Sequence, residues 1–318
     1  MVAGMAAATG GVIVRAPAKI NLELRVGPRR ADGFHELATV FHAVSVFDDL
    51  SATLAEPGSG VSIAVHGAQA DAVPTDGTNL AVRAAELLAE RVGIDPDVRL
   101  QLSKQIPVAG GMAGGSADAA AALVACDALW HAGLDREQLH ALAAELGSDV
   151  PFSLLGGTAI GSGRGEQLIP ALARGEYYWV IALADHGLST PAVYAEIDRL
   201  RATGQVPPPP DDPQIGDRLM QALRAGDAEA LGACLVNDLQ PAAISLDPSL
   251  ERALDVGRKV GALGGMVSGS GPTTVFLARD SSHALDLAVA LTASGAAADV
   301  RRSHGPVAGA RLVEAVRA

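Results

Sequence analysis

Between Pro107 and Ser116 the chain reads Pro-Val-Ala-Gly-Gly-Met-Ala-Gly-Gly-Ser, and four of those ten positions are glycine. Glycines ahead of a helix start let the backbone approach a ligand closely and aim N–H groups at phosphate oxygens. The spacing excludes two familiar phosphate loops. A Walker loop needs Gly-Lys-Ser/Thr, whereas Gly115 is followed by Ser116 and Ala117. The dinucleotide fingerprint needs glycines at offsets of zero, two and five, which this stretch does not supply. A tight strand-to-helix turn that binds nothing would show the same local pattern.

Three other positions have the right chemistry for a site. Asp149, in Gly147-Ser148-Asp149-Val150-Pro151-Phe152, can cap a short helix beginning at Val150 or act as a general base held at a helix start. Lys19 is one of three lysines, with Lys104 and Lys259. On a strand it is either a solvated edge residue or a charge kept for chemistry. His35, in Asp32-Gly33-Phe34-His35-Glu36, has no second histidine nearby at metal-ligand spacing, which argues against zinc. A further glycine-dense segment, Gly264 to Thr273, precedes a strand and reads as a wide turn or as a backbone wall beside a ligand.

The elements that would position these groups follow from periodicity. Alternation predicts a strand over 12–26, bent or restarted at Pro17, with Lys19 and Asn21 on the face opposite the buried one. Further strands are predicted near 37–47, 61–65 and 98–102, and a helix over 79–92 closed by Gly93. After the glycine loop an Ala-rich helix is predicted over 117–131 with Ser116 as its N-cap, then a second over 135–146 stopped by Gly147. Beyond Gly156 and Gly157 the pattern predicts strands at 177–184, 273–278 and 309–316 and helices at 192–201, 250–263 and 284–292. Residues 207–213 form an exposed proline loop. Strands and helices mix without strict β-α-β alternation, so the class is α+β.

The 318 residues suggest roughly two domains, and 49% hydrophobic content supplies a sizeable core. A net charge of −12 excludes the basic footprint of a protein that wraps nucleic acid, but not local capture of a small anion. Cys126 and Cys234 lie far apart in apolar helical patterns and read as two buried thiols in a reducing compartment. Residues 1–11 lack the basic start and apolar run of a signal peptide, and no stretch approaches about 18 uninterrupted apolar residues. The expectation is a cytoplasmic protein with neither membrane nor nucleic-acid partner; oligomeric state is left open.

Five segments, in order, resemble those of the GHMP kinases (galacto-, homoserine, mevalonate and phosphomevalonate kinases). They are Ala-Pro-Ala-Lys-Ile-Asn-Leu at 16–22, Ala-Asp-Gly-Phe-His-Glu-Leu at 31–37, Leu-Gly-Ser-Asp-Val-Pro-Phe at 146–152, Gly-Gly-Thr-Ala at 156–159 and Ser-Gly-Ser-Gly-Pro-Thr at 268–273. The resemblance implies a ribosomal-S5-type ATP-binding domain over 1–160, a ferredoxin-like substrate domain over 161–318, and an active site in the cleft. It implies Lys19 and Asp149 as the catalytic pair. It further implies an ATP cradle of Pro107, Val108, Ala109, Gly110, Gly111, Met112, Ala113, Gly114, Gly115, Ser116 and Ala117, with Asn79 and Lys104 near the adenine.

The likeness is strongest to the branch that phosphorylates a methylerythritol 2-hydroxyl in isoprenoid precursor synthesis. Asn21, Phe34, His35, Thr190 and Tyr194 would then form the pocket for a small-molecule cytidyl diphosphate substrate. The alternatives are a mevalonate- or homoserine-type kinase, the latter disfavoured by the Gly-Ser-Asp segment, or a nucleotide binder without turnover. The chain departs from the family where Ala117 replaces the usual second serine. The Mg²⁺ that accompanies ATP is accordingly expected to be held mainly through phosphates, with no protein ligand. Only ten residues are aromatic, and Phe34 lies outside any long core strand. Phe34 and Tyr194 are expected to stack on opposite faces of the cytosine, with His35 at its edge.

Overall fold

The computed structural model describes residues 10–316, so the reading of residues 1–11 falls almost wholly outside it. β1 (Gly11–Arg29) and β2 (His35–Leu54) form a long antiparallel hairpin. Pro17 does not break β1; the ladder shifts register between Pro17 and Ala18, which accommodates the missing N–H within a continuous strand. Lys19 and Asn21 do share a face, but that face is not solvated. Both are nearly buried, at 6% and 3% exposure, because it forms the inner wall of a cleft while Ala18, Ile20 and Leu22 fill the core behind it.

β3 (Val61–His66) runs parallel to β4 (Val98–Ser103), with α1 (Leu80–Val92) between them in sequence. β4 pairs with the second half of β2. α2 (Gly114–Trp130), α3 (Arg136–Leu146) and α4 (Val150–Leu155) follow. α2 is buried on most sides because its run of alanines lets it sit close against β1, β2 and α1. Next, β5 (Thr158–Gly163) pairs with the first half of β2, and β6 (Gln167–Pro170) folds back on β5.

β7 (Tyr177–Leu183) opens a second sheet, followed by α5 (Thr190–Ala202), α6 (Asp217–Ala225) and α7 (Ala228–Gly232). The chain continues through β8 (Val236–Asn237), α8 (Gln240–Leu246), α9 (Ser249–Val260), β9 (Gly264–Val267) and β10 (Thr274–Ala278). It ends with α10 (Ser281–Ser294), β11 (Asp299–Gly305) and β12 (Arg311–Val316). Among the described residues the first sheet has eight strands and the second four, in the antiparallel order β11-β7-β10-β9.

A division at 160/161 falls inside β5. β5, β6, β8 and β12 all join the first sheet, β12 by returning to pair with the start of β1. The α+β class agrees with the two sheets, each covered by its own helices. Ile20, Leu50, Leu100 and Leu123 meet in one apolar cluster, while Val180, Ile197, Phe276 and Leu287 meet in another. Both cysteines are free; Cys126 is buried, and burial pushes its thiol up to about 12, but Cys234 is only half-buried.

Candidate active site

A cavity of about 950 Å³ lies along the inner face of the β1–β2 hairpin. Lys19 projects into it from β1. Its Nζ donates to Asn21 Oδ1 at 2.8 Å, Asn21 Nδ2 donates to Thr39 Oγ1 at 2.8 Å, and Thr39 Oγ1 donates to the Glu23 carbonyl at 2.8 Å. This chain fixes the ammonium and the amide together. Across the cavity Asp149 occupies the N-cap position of α4, yet its side chain accepts no capping bond. The carboxylate instead faces Lys19, with Oδ2 3.7 Å from Nζ. Of the two roles open to Asp149 from sequence, the capping one is not adopted.

The glycine loop meets α2 three residues earlier than predicted. α2 begins at Gly114, and Ser116 lies within its first turn rather than at its cap. The N-cap residue, Ala113, sits at φ +58 and has no side-chain hydrogen bond to offer. The first N–H groups of α2 therefore lack a capping side chain, and the helix dipole adds positive potential where they emerge. Such a terminus next to a cavity is suited to a phosphate. Gly111, at φ +72, is required for a second reason: a Cβ there would overlap the Ser268 carbonyl. Ser268 Oγ donates to the Gly111 carbonyl at 3.2 Å. The late glycine cluster thus backs the 107–116 glycine loop, while its Gly269 and Ser270 reach the cavity directly.

Beneath the loop, Lys104 Nζ donates to Asp48 Oδ2 at 2.5 Å and to Asp118 Oδ2 at 2.9 Å. Asp48 Oδ1 accepts the backbone N–H groups of Gln105 and Ile106 at 2.6 and 2.8 Å. Burial opposes the Lys104 charge, but the two carboxylates outweigh it and hold the ammonium above the ordinary lysine value. Burial raises Asp118 above the usual carboxylate range, against the pull of the Lys104 charge. Lys104 therefore lines the cavity as the fastening of the loop's base, with its charge already shared between two acids.

At the other end of the cavity Phe34 is 52% exposed, and the Arg164 guanidinium lies 5.1 Å from its ring centre. Tyr194 comes from α5 and packs against His35, ring centres 5.0 Å apart and tilted by 31°. Thr190 Oγ1 is 2.8 Å from Ser270 Oγ. His35 thus lies against Tyr194 rather than clear of it, so part of the tyrosine surface is already covered.

The cavity brings together every site residue expected from sequence except Asn79, Ser116 and Ala117. Asn79 instead caps α1: its Oδ1 accepts from Ala81 N–H at 2.8 Å and its Nδ2 donates to the Pro74 carbonyl at 2.6 Å. Ala117 is fully buried in α2. Sequence reasoning missed Asp48, Thr39, Asp118, Asp198 and Arg164. Their only local signals are a carboxylate within a long strand and an arginine between two glycines. Asn237 was also missed; its Nδ2 donates to the Val267 and Gly269 carbonyls at 2.8 and 2.7 Å and steadies the late glycine turn.

The sequence matches the family description "GHMP kinases N terminal domain" over residues 79–157 and "GHMP kinases C terminal" over 219–297. It is 56% identical over 308 residues to the 4-diphosphocytidyl-2-C-methyl-D-erythritol kinase of Thermobifida fusca, covering 95% of this chain and 98% of the relative. The enzyme of the same name from Leifsonia xyli is 54% identical over 306 residues, with the same coverage. A crystal structure of 4-(cytidine 5'-diphospho)-2C-methyl-D-erythritol kinase superposes with a TM-score of 0.74 at 34% identity, over 92% of this chain and 98% of that one. An L. major mevalonate kinase shares the fold alone, with a TM-score of 0.72 at 17% identity over 97% and 100% of the two chains. With its loop, its Lys19–Asp149 pair and this likeness along nearly its whole length, the chain belongs to the GHMP kinases, in the family of the 4-diphosphocytidyl-2-C-methyl-D-erythritol kinases.

Proposed function

We propose that this protein transfers the γ-phosphoryl group of ATP to the 2-hydroxyl of the methylerythritol unit of 4-diphosphocytidyl-2-C-methyl-D-erythritol, in the cytoplasm. The observation that carries this reading is the meeting of the Lys19–Asp149 pair and the uncapped start of α2 within one cavity. Phosphoryl transfer demands little covalent chemistry of a protein and mostly alignment and charge stabilisation.

The α2 N-terminus and the 107–115 backbone would bind the ATP phosphates. Asp149 would orient the acceptor hydroxyl and take its proton, and Lys19, braced by Asn21, would stabilise the charge on the transferring group. Mg²⁺, when bound with ATP, supplies further charge neutralisation across the phosphates. Such an ion keeps several waters and takes one or two carboxylates plus phosphate oxygens. No cluster of three or more His, Cys, Asp or Glu side chains able to hold a metal occurs among the described residues. The ion would be held mainly through phosphate oxygens and water, in keeping with Ala117 where the family has its usual second serine. Phe34, His35, Thr190 and Tyr194 would receive the cytidyl end.

An assay coupled to ADP release tests the reading, run with the cytidyl substrate, with mevalonate, with homoserine and with no acceptor. ADP release only with the cytidyl substrate is expected. Turnover with mevalonate or homoserine instead, or none with any acceptor, would overturn it.

A further inference from the structure

We propose that Asp198 is a positioning residue that fixes the ring tautomer of His35 and so sets a preference for cytosine over uracil. The inference rests on the cytidyl reading above. His35 Nε2 lies 2.9 Å from Asp198 Oδ1. A carboxylate only accepts, so Nε2 carries the hydrogen, and in a neutral ring Nδ1 is left as an acceptor. His35 is 6% exposed and lines the cavity, and its Nδ1 has no hydrogen-bond partner among the described residues.

The same helix supplies both constraints on this ring. Tyr194 and Asp198 are four residues apart on α5 and therefore share a face. The phenol ring lies against the imidazole while the carboxylate takes its Nε2–H. Asp198 forms no close ion pair with an arginine or lysine among the described residues. Arg201, three residues further along the helix, feels the Asp198 charge but spends its guanidinium hydrogen bonds on the Val26 and Gly27 carbonyls at 2.7 and 3.3 Å. The nearly buried imidazole therefore presents one lone pair to the cavity in a defined orientation.

That lone pair discriminates between pyrimidines. Cytosine offers an exocyclic amine, a donor, where uracil has a carbonyl oxygen. An Nδ1 acceptor bonds the first and repels the second. Free of Asp198, the ring could turn or exchange tautomers and present N–H to either base, and the preference would fade.

The test is titration of CDP and UDP into wild type, Asp198→Ala and Asp198→Asn, with steady-state kinetics and ¹⁵N spectra of the imidazoles, His35 being assigned by its absence in His35→Gln. Wild type is expected to bind CDP at least about tenfold more tightly than UDP, with a His35 spectrum showing protonated Nε2 and bare Nδ1. Asp198→Ala should cut that ratio by about tenfold and raise KM for the cytidyl substrate by a similar factor, with a much smaller fall in kcat. Asp198→Asn, whose amide oxygen can still accept, should retain more of the preference. Unchanged ATP affinity in the variants reports an intact fold. A wild type that binds CDP and UDP equally overturns the cytidyl reading and this inference with it. A clear wild-type preference that survives intact in Asp198→Ala, or a His35 ring carrying hydrogen on Nδ1, overturns the role of Asp198 alone.

Discussion

Lys19 Nζ stands 3.7 Å from Asp149 Oδ2 although one residue belongs to the first strand and the other to the N-cap of a short helix. The Lys19 backbone N–H donates to the Met112 carbonyl at 3.2 Å, which ties the lysine to the glycine loop as well. Strand, loop and helix start thus converge on one acid and one base. Asp149→Asn should lower kcat by about two to four orders of magnitude, the usual loss for a general acid–base group, with little change in substrate affinity. Near-normal turnover would reduce Asp149 to an occupant of a cap position.

Gly114→Val acts differently from what the loop sequence alone suggests. A Cβ at Gly114 points at Lys104 Nζ, 2.8 Å away, and at Ile106 Cγ2, 3.2 Å away. The branched side chain would displace the lysine from its two carboxylates and tilt the base of the loop. Breaking a buried pair of this kind costs about 3–5 kcal/mol, so both ATP affinity and the urea midpoint should fall. A variant with wild-type stability and wild-type ATP binding would refute this account.

The proposed cytidyl pocket is open to a direct measurement. Base–aromatic stacking is worth about 1–3 kcal/mol per ring. Phe34→Ala and Tyr194→Ala should each weaken CDP binding by about five- to 150-fold while ATP affinity stays level. Because Tyr194 also packs on His35, its loss is expected to be the larger of the two. Calorimetric titrations that return equal CDP affinities for all three proteins would remove both rings from the site.

His42 makes the fold sensitive to acid. It is fully buried between β2 and β7, with Nδ1 2.9 Å from Thr158 Oγ1 and its ring beside Tyr177 and Trp179. Burial pushes it down to about 3, and its Nε2 has no hydrogen-bond partner among the described residues to offset that burial. In the unfolded chain it takes its proton near 6.5. Between those values the unfolded state holds more protons, so the His42 contribution is fully present above pH 6.5 and is lost as pH falls towards 3. The slope is up to about 1.4 kcal/mol per pH unit. Urea unfolding at pH 7 and pH 5 should show a smaller acid loss for His42→Gln than for wild type; parallel losses would exclude His42 as the cause.

Much of this architecture was readable residue by residue. The alternation around Ile20 and Leu22, the capping of α3 by Asp135 and Gly147, and the β7 run all sit where periodicity placed them. What escaped was settled by partners distant in sequence. The anchoring of Lys104 was not foreseen because Asp48, 56 positions away, cannot be assigned to it from spacing. The start of α2 was misplaced because Gly114 and Gly115 read as loop, whereas both are helical, Gly114 buried beside Ile106 and Gly115 exposed. Lys19 and Asn21 were placed opposite the buried face because period two reports which side chains share a face, not what covers it. β8, two residues long, carries no periodic signal at all.

The pairing of Gly11 with Val316 imposes an order on the birth of the molecule. At about 5–20 residues per second, a ribosome delivers β12 some tens of seconds after β1. Throughout that interval the 11–15 stretch of β1 has one side satisfied by β2 and the other waiting for a strand not yet made. The sheet that carries Lys19 is therefore closed last by its most distant partner. A ribosome stalled before residue 311 would display a nascent chain with an unprotected sheet edge, a substrate for chaperones.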